Sequence, residues 1–194
     1  LTACASCGST LSRFYNEIKG GAAGDLPKKS MDIHAFLKKE GWIERLASLP
    51  KAEKRMRVCY HDPCHLKNHG ITAEPRALLA ALPTVDYVEM EGAALCCGLG
   101  GTFAASRPDI ATQVRFRKQE EIQRDLAQLD AGTGPVKILT SCPSCLQGLS
   151  RYSPDTGTEA DYIVVELARH LLGENWLPQY VDAARAGGIE RVLL

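Results

Sequence analysis

Five cysteines, Cys64, Cys96, Cys97, Cys142 and Cys145, follow the spacing Cys-x31-Cys-Cys-x44-Cys-x2-Cys. Thiolates are soft donors that select zinc, Cu(I) or iron–sulfur clusters. A structural zinc takes four ligands in a tetrahedron, whereas this pattern offers five, two of them adjacent. Side chains at neighbouring extended positions point to opposite sides. Cys96 and Cys97 therefore suit two neighbouring irons of one cluster better than a single ion. Gly98, Gly100 and Gly101 follow at once and would let the backbone wrap closely with no Cβ in the way. Cys142-Pro143-Ser144-Cys145 reads as a strand-to-helix turn, where helix N-terminal amides favour the negative charge of thiolates and sulfides.

Each cysteine cluster directly follows an apolar run: RMRVCYHD before Cys64, VDYVEME before Cys96 and PVKILTS before Cys142. Strands alternating with helices build a parallel sheet, and right-handed crossovers bring the three loops to one edge of it. That edge, outside the carboxyl ends of the strands, is where open α/β sheets bind ligands. The expected fold class is α/β, a Rossmann-like parallel sheet flanked by helices. Helical patterns run over 8–18, from Asp32 to Leu49, from Glu74–Pro75 to just before Pro83, from about Pro108 to Leu129, and onward from Tyr162. In the fourth of these the apolar stripe Ile110, Val114, Ile122, Leu126 and Leu129 is interrupted near Lys118. RFRKQEEIQRD there reads as a solvated helix face. KGGAAGDLPKKS reads as an exposed loop, AGTGP as a break, and GGIERVLL as a short docking tail.

Bulk properties exclude several classes. Among 194 residues, Lys+Arg and Asp+Glu stand at 23 each, so no basic footprint points to nucleic acid or an anionic membrane. No apolar run approaches the roughly 20 residues of a membrane-spanning helix. Eight cysteines in 194 residues fall below the roughly 8–10% of short disulfide scaffolds. In a reducing compartment, clustered thiols read as ligands, and the expectation is a soluble, intracellular protein. No Ser–His–Asp set and no separated carboxylate pair is legible. Cys59, in mid-strand, reads as a core cysteine. Of the histidines near Cys64, His61 is expected to join Asp62 in hydrogen-bonding the loop and shaping the site from behind its ligands. Gly98 to Gly101 lacks the full Gly-x-Gly-x-x-Gly of a nucleotide loop.

The chain also echoes itself. TACASCGSTL (2–11) matches TSCPSCLQGL (140–149), and SMDIHAFLKKEGW ending at Trp42 is followed in kind by ADYIVVELARHLLGENW ending at Trp176. This reads as the tail of one repeat, residues 1–51, followed by a complete second repeat, 52–194. Cys4 and Cys7 would then be the remainder of an incomplete first site, and the chain a piece of a longer protein.

YHDPCHL (60–66), CCGLGG (96–101) and TSCPSC (140–145) closely resemble the cysteine-rich CCG domain. That domain occurs, usually twice, in heterodisulfide reductases and in the iron–sulfur subunits or domains of glycolate and lactate oxidoreductases. The resemblance covers about residues 56–150, with 1–49 as the end of a preceding copy. It implies a cluster of the 4Fe–4S type held by Cys64, Cys96, Cys97, Cys142 and Cys145. ENWLPQYVDAARAGGIERVLL resembles the end of a large FAD-linked oxidase of the D-lactate dehydrogenase type. The role so implied is electron transfer within a FAD-linked 2-hydroxy-acid dehydrogenase. The flavin would sit in another domain or subunit, and a redox acceptor would be a partner. Placement would be cytoplasmic, reaching the inner face of the membrane only through partners. Two alternatives stay open: a catalytic cluster acting on disulfides, and a zinc-stabilised interaction module.

Overall fold

The computed structural model describes residues 1–18, 24–53, 55–129 and 135–188. Four strands, β1 (Met56–Tyr60), β2 (Val85–Tyr87), β3 (Lys137–Thr140) and β4 (Glu159–Tyr162), form one wholly parallel sheet in the order β2-β1-β3-β4. Val58 pairs with Tyr87 on one side and Lys137 on the other, and Thr140 pairs with Tyr162. Val58, Cys59, Tyr60, Ile138 and Leu139 are all buried. A parallel sheet covered on both faces buries such continuous runs rather than alternate residues. The chain steps outward from β1 to β2 and then returns past β1 to β3. The reversal places a crevice between the carboxyl ends of β1 and β3.

The first compact unit, Leu1–Tyr162, carries helices α1 (Ala5–Ser9), α2 (Ile33–Lys39), α3 (Trp42–Ala47), α4 (Cys64–Asn68), α5 (Ala73–Ala81), α6 (Pro108–Ala127) and α7 (Pro143–Ser150). One core of this unit gathers Cys59, Met90, Ala93, Ile122, Ile138, Leu149 and Tyr152. The second unit, from Ile163 onward, carries α8 (Ile163–Leu172) and α9 (Trp176–Ala183). Among the described residues no helix is long and apolar enough to cross a membrane.

The α/β class read from the sequence is the fold observed, with several local corrections. The single helix expected from Asp32 to Leu49 is two, because Gly41 takes φ +72° and the chain restarts at Trp42. A left-handed glycine ends a helix without Cβ strain. The strand expected to reach Glu91 stops at Tyr87. Glu89 is instead gripped by Arg76, and the backbone turns at 92–95. α4 was not legible as a helix. Lys118, expected to interrupt a partly solvated helix, lies inside an unbroken α6 and is 1% exposed. It shares the inward face with Ala111 and Ile122, so RFRKQEEIQRD is not wholly a solvated face. Parts of three loop or tail expectations, at 19–23, 131–134 and 189–194, lie outside the described residues.

Candidate metal centre

The loop after β1 is fixed before it reaches Cys64. His61 N–H donates to Leu139 O at 2.9 Å and Asp62 N–H to Ala93 O at 3.0 Å, tying the loop to β3 and to the turn ahead of Cys96. Arg76 of α5 donates to both Asp62 carboxylate oxygens at 2.8 Å and to Glu89 at 2.7 and 2.8 Å. Such a bidentate fork sets orientation as well as charge. Pro63 then precedes α4, whose first residue, Cys64, is exposed.

Cys96 and Cys97 are seated by glycine. At Gly98, φ is +77°, and a Cβ would stand 2.8 Å from Arg115 N and 2.9 Å from Ala111 O. Any side chain there would push the loop off α6. Gly100 (φ +50°) would face only Phe103 at 3.3 Å, and Gly101 (φ +59°) nothing within 4 Å. Of the three glycines expected to wrap a cofactor, Gly98 is thus the one required by close packing. Gly98 N–H donates to Cys96 Sγ at 3.4 Å, and Tyr152 OH donates to Cys97 O.

Cys142 caps α7, with Pro143 in its first turn. α7 approaches Cys97 closely, since a Cβ on Gly148 would lie 3.0 Å from Cys97 Sγ. The thiols now form a connected set. Hydrogen bonds with Cys145 and Cys96, helped by His61, hold Cys97 far below the ordinary thiol range. Bonds to Cys142 and Cys97, with burial, push Cys145 well above it. Cys142 is lowered to about 6, chiefly by its bond with Cys145. Bonding to Cys97 and burial raise Cys96, which also feels the charge of Cys64. Cys97, Cys142 and Cys145 are buried, while Cys64 and Cys96 are exposed.

His61 was expected to brace the loop and shape the site from behind its ligands, and its ring reaches the thiols. Ligand atoms of His61, Cys97 and Cys145 all lie within 4.8 Å of one another. Nδ1 of that ring is buried with no hydrogen-bond partner among the described residues. Asp62 instead serves Arg76. Cys59 lies in the core at 2% exposure, its thiol pushed up to about 12 by burial.

The first Cys-x-x-Cys lies beside the second. Ala5 N–H donates to Ser141 O at 2.9 Å, and Cys7 feels the charge of Cys142. Thr2 pairs in parallel with Asp32, much as Thr140 pairs with Tyr162. The sequence also hid a polar chain. His34 Nδ1 donates to Asp32 Oδ1 at 2.8 Å, His34 Nε2 faces Ser141 Oγ at 3.4 Å, and Ser141 Oγ meets Tyr60 OH at 2.9 Å. These four side chains are buried, so the set joins α2 to β3 rather than exposing a nucleophile. No spacing rule could have found it, because its members lie far apart in the chain.

The residues fit a soft metal. All eight cysteines are free, and four of them share protons in one contact chain at the carboxyl edge. A thiophilic metal displaces such protons on binding. The donor set admits either an iron–sulfur cluster or zinc.

Comparison with known proteins adds the following. The cysteine-rich domain family matches residues 58–150, and a domain of unknown function, DUF3400, matches residues 150–194. The chain is 33% identical to one subunit of the fumarate reductase (CoM/CoB) of Methanothermobacter marburgensis, over 75% of this chain and 26% of that one. It is 32% identical to one subunit of the dihydromethanophenazine:CoB–CoM heterodisulfide reductase of Methanosarcina acetivorans, over 88% of this chain and 40% of that one. A probable glycolate oxidase iron-sulfur subunit of Bacillus subtilis is 27% identical, over 89% and 38%. The chain thus spans about a quarter to two fifths of the length of these relatives.

Proposed function

Residues 58–150 belong to the cysteine-rich domain family, and on that premise we propose that this chain is an iron–sulfur electron-transfer domain. Its cluster, of the 4Fe–4S type, would be held by Cys64, Cys96, Cys97, Cys142 and Cys145. The observation that carries this reading is the contact chain Cys96–Cys97–Cys145–Cys142 at the carboxyl edge, with Cys64 at the start of α4 beside it. A relative named as an iron-sulfur subunit supports it.

When bound, such a cluster accepts and releases single electrons at a potential set by ligation, hydrogen bonds to sulfur and burial. The chain's own residues supply those settings. Gly98 N–H bonds Cys96 Sγ. Cys142 sits at the N-terminus of α7, where the backbone of Ser144 and Cys145 favours its thiolate. Gly148 lets α7 close against Cys97. Arg76 holds Asp62 and with it the approach to Cys64.

The finer reading is a partner role for a FAD-linked 2-hydroxy-acid dehydrogenase of the lactate or glycolate type, with flavin bound in another domain or subunit. It draws on the glycolate oxidase likeness. Residues 1–51 read as the end of a preceding copy, supported by the Thr2–Asp32 bridge that echoes Thr140–Tyr162.

The test is anaerobic reconstitution with iron and sulfide, followed by metal analysis and EPR. About four irons per chain, retained in Cys59→Ala and lost in Cys96→Ser, is the expected outcome. A single zinc, or no metal under any condition, overturns the reading in favour of a structural module. A second reading is a cluster that itself acts on disulfides. The exposure of Cys64 and Cys96 favours it, as do the CoM/CoB-named relatives. Small thiols that shift the EPR signal of the loaded protein would select it.

A further inference from the structure

Lys118 is the one lysine or arginine buried to 1% exposure among the described residues. Removing an ammonium from water is costly unless its surroundings compensate. Its Nζ donates to Gly92 O at 2.5 Å. Asp125, two turns further along α6, lies close to the backbone of Glu91 and Gly92. Lys118 therefore holds the carbonyl of residue 92, just ahead of Cys96. Contact there is tight, for a Cβ on Gly92 would stand 2.9 Å from Glu121 Cβ. Beyond the cysteines, Gly98 seats against Ala111 and Arg115 of the same helix. The Cys96–Cys97 turn is thus pinned to α6 on both flanks, by Lys118 ahead of it and by Gly98 behind it.

The charge of Lys118 also reaches the thiols. It interacts with Asp125, Cys97, Cys145 and Asp62, and further with His61 and Cys59. Of the acids facing it, Asp62 is already neutralised by Arg76, and burial holds the Asp125 carboxyl above the usual carboxylate range. Burial lowers the proton affinity of Lys118 to about 8, which leaves it cationic at neutral pH.

We propose that Lys118 is a positioning residue for the metal centre: its buried ammonium fixes the turn presenting Cys96 and Cys97, and its charge raises the potential at which a bound cluster accepts an electron. The inference rests on the iron–sulfur reading above. Reduction adds one negative charge to the cluster, and a fixed cation in a poorly screened interior favours that state.

The test compares Lys118→Met, Lys118→Gln and Lys118→Arg in the same chain after anaerobic reconstitution. Iron content, circular dichroism and the midpoint of an EPR-monitored redox titration are read for each. Met and Gln should lower the reduction equilibrium at least tenfold, about 59 mV for a one-electron couple, with iron content unchanged. Arg should stay near the wild-type potential. Full iron with a wild-type potential in Lys118→Met overturns the proposal. If Met and Gln lose the cluster, its retention in Arg upholds the charge role. Loss of both cluster and fold in all three variants makes Lys118 a packing residue and overturns it. If the wild-type chain takes up no iron, the cluster reading and the potential role fail separately, and urea unfolding of the metal-free chain decides the positioning role. Stability lost in Lys118→Met and Lys118→Gln but kept in Lys118→Arg upholds it; equal stability in all three overturns it.

Discussion

The same hexapeptide pattern occurs twice, as Thr2-Ala3-Cys4-Ala5-Ser6-Cys7 and as Thr140-Ser141-Cys142-Pro143-Ser144-Cys145. Locally the two copies fold alike. Cys4 caps α1 at φ −118°, ψ 120°, and Cys142 caps α7 at φ −131°, ψ 128°. Their surroundings differ. Cys4 is half-buried and Cys7 exposed, whereas Cys142 and Cys145 are 5% and 6% exposed. Among the described residues, the thiols of the first copy bond to each other and to Ser6, while those of the second meet Cys97 and, through it, Cys96 and His61. The comparison teaches that a Cys-x-x-Cys at a helix start presents two thiols, and that elements arriving from elsewhere turn them into a centre.

The largest expected effect breaks the second copy and spares the first. Cys97→Ser should lower bound iron at least about tenfold, while Cys7→Ser should leave it unchanged; iron and sulfide assays after reconstitution check both. Next in size is Gly98→Ala, where positive φ and backbone contacts under 3 Å coincide. It should cost roughly 3 kcal/mol, against about 1 kcal/mol for Gly101→Ala, where only the left-handed backbone matters. Urea unfolding of the metal-free chain measures each.

Asp62→Asn tests the brace that the second copy has. Losing a charge-assisted fork should cost roughly 2 kcal/mol, with Glu89 keeping part of the Arg76 contact. The same unfolding experiment reads it.

The last comparison is one of pH. Folded Cys142 releases its proton near 6, against the ordinary 9.0, so between those values the unfolded chain binds more protons. Its contribution to stability is complete above pH 9 and is lost as pH falls through about 6. Cys7 is raised, so its contribution is complete below its ordinary 9.0 and is lost only as pH rises above that value. Cys142→Ser should therefore flatten the rise in stability of the metal-free chain from pH 6 to pH 9, and Cys7→Ser should leave that rise unchanged. Denaturant midpoints across that range provide the check.

Much of the site's placement was legible beforehand. The runs before Cys64, Cys96 and Cys142 have strand length and β-branched content, and parallel order with right-handed crossover leaves their loops one edge to share. Cys59 read correctly as core, since it sits in mid-strand between Val58 and Tyr60. Less visible were α4, the break at Gly41 and the early end of β2, each decided by one residue's conformation or one competing contact. Lys118 was misread because periodicity treats lysine as polar, whereas its stem can run through the core and deliver the ammonium to a backbone carbonyl.

The amino-acid sequence alone determined the α/β class, the strand-then-cysteine order and the identity of the thiols gathered at one edge. Those depend on local propensity and on the spacing of apolar runs, which act over a few residues. The tertiary structure alone decided that Gly98 must be glycine, that His61 reaches Cys97 and Cys145, that Asp32, His34, Ser141 and Tyr60 join in one buried chain, and that Lys118 is buried with its ammonium on Gly92 O. Each of these depends on the approach of segments remote in sequence. Such approaches are fixed by close packing and by the need to satisfy every buried polar group, and spacing along one strand or helix does not encode them.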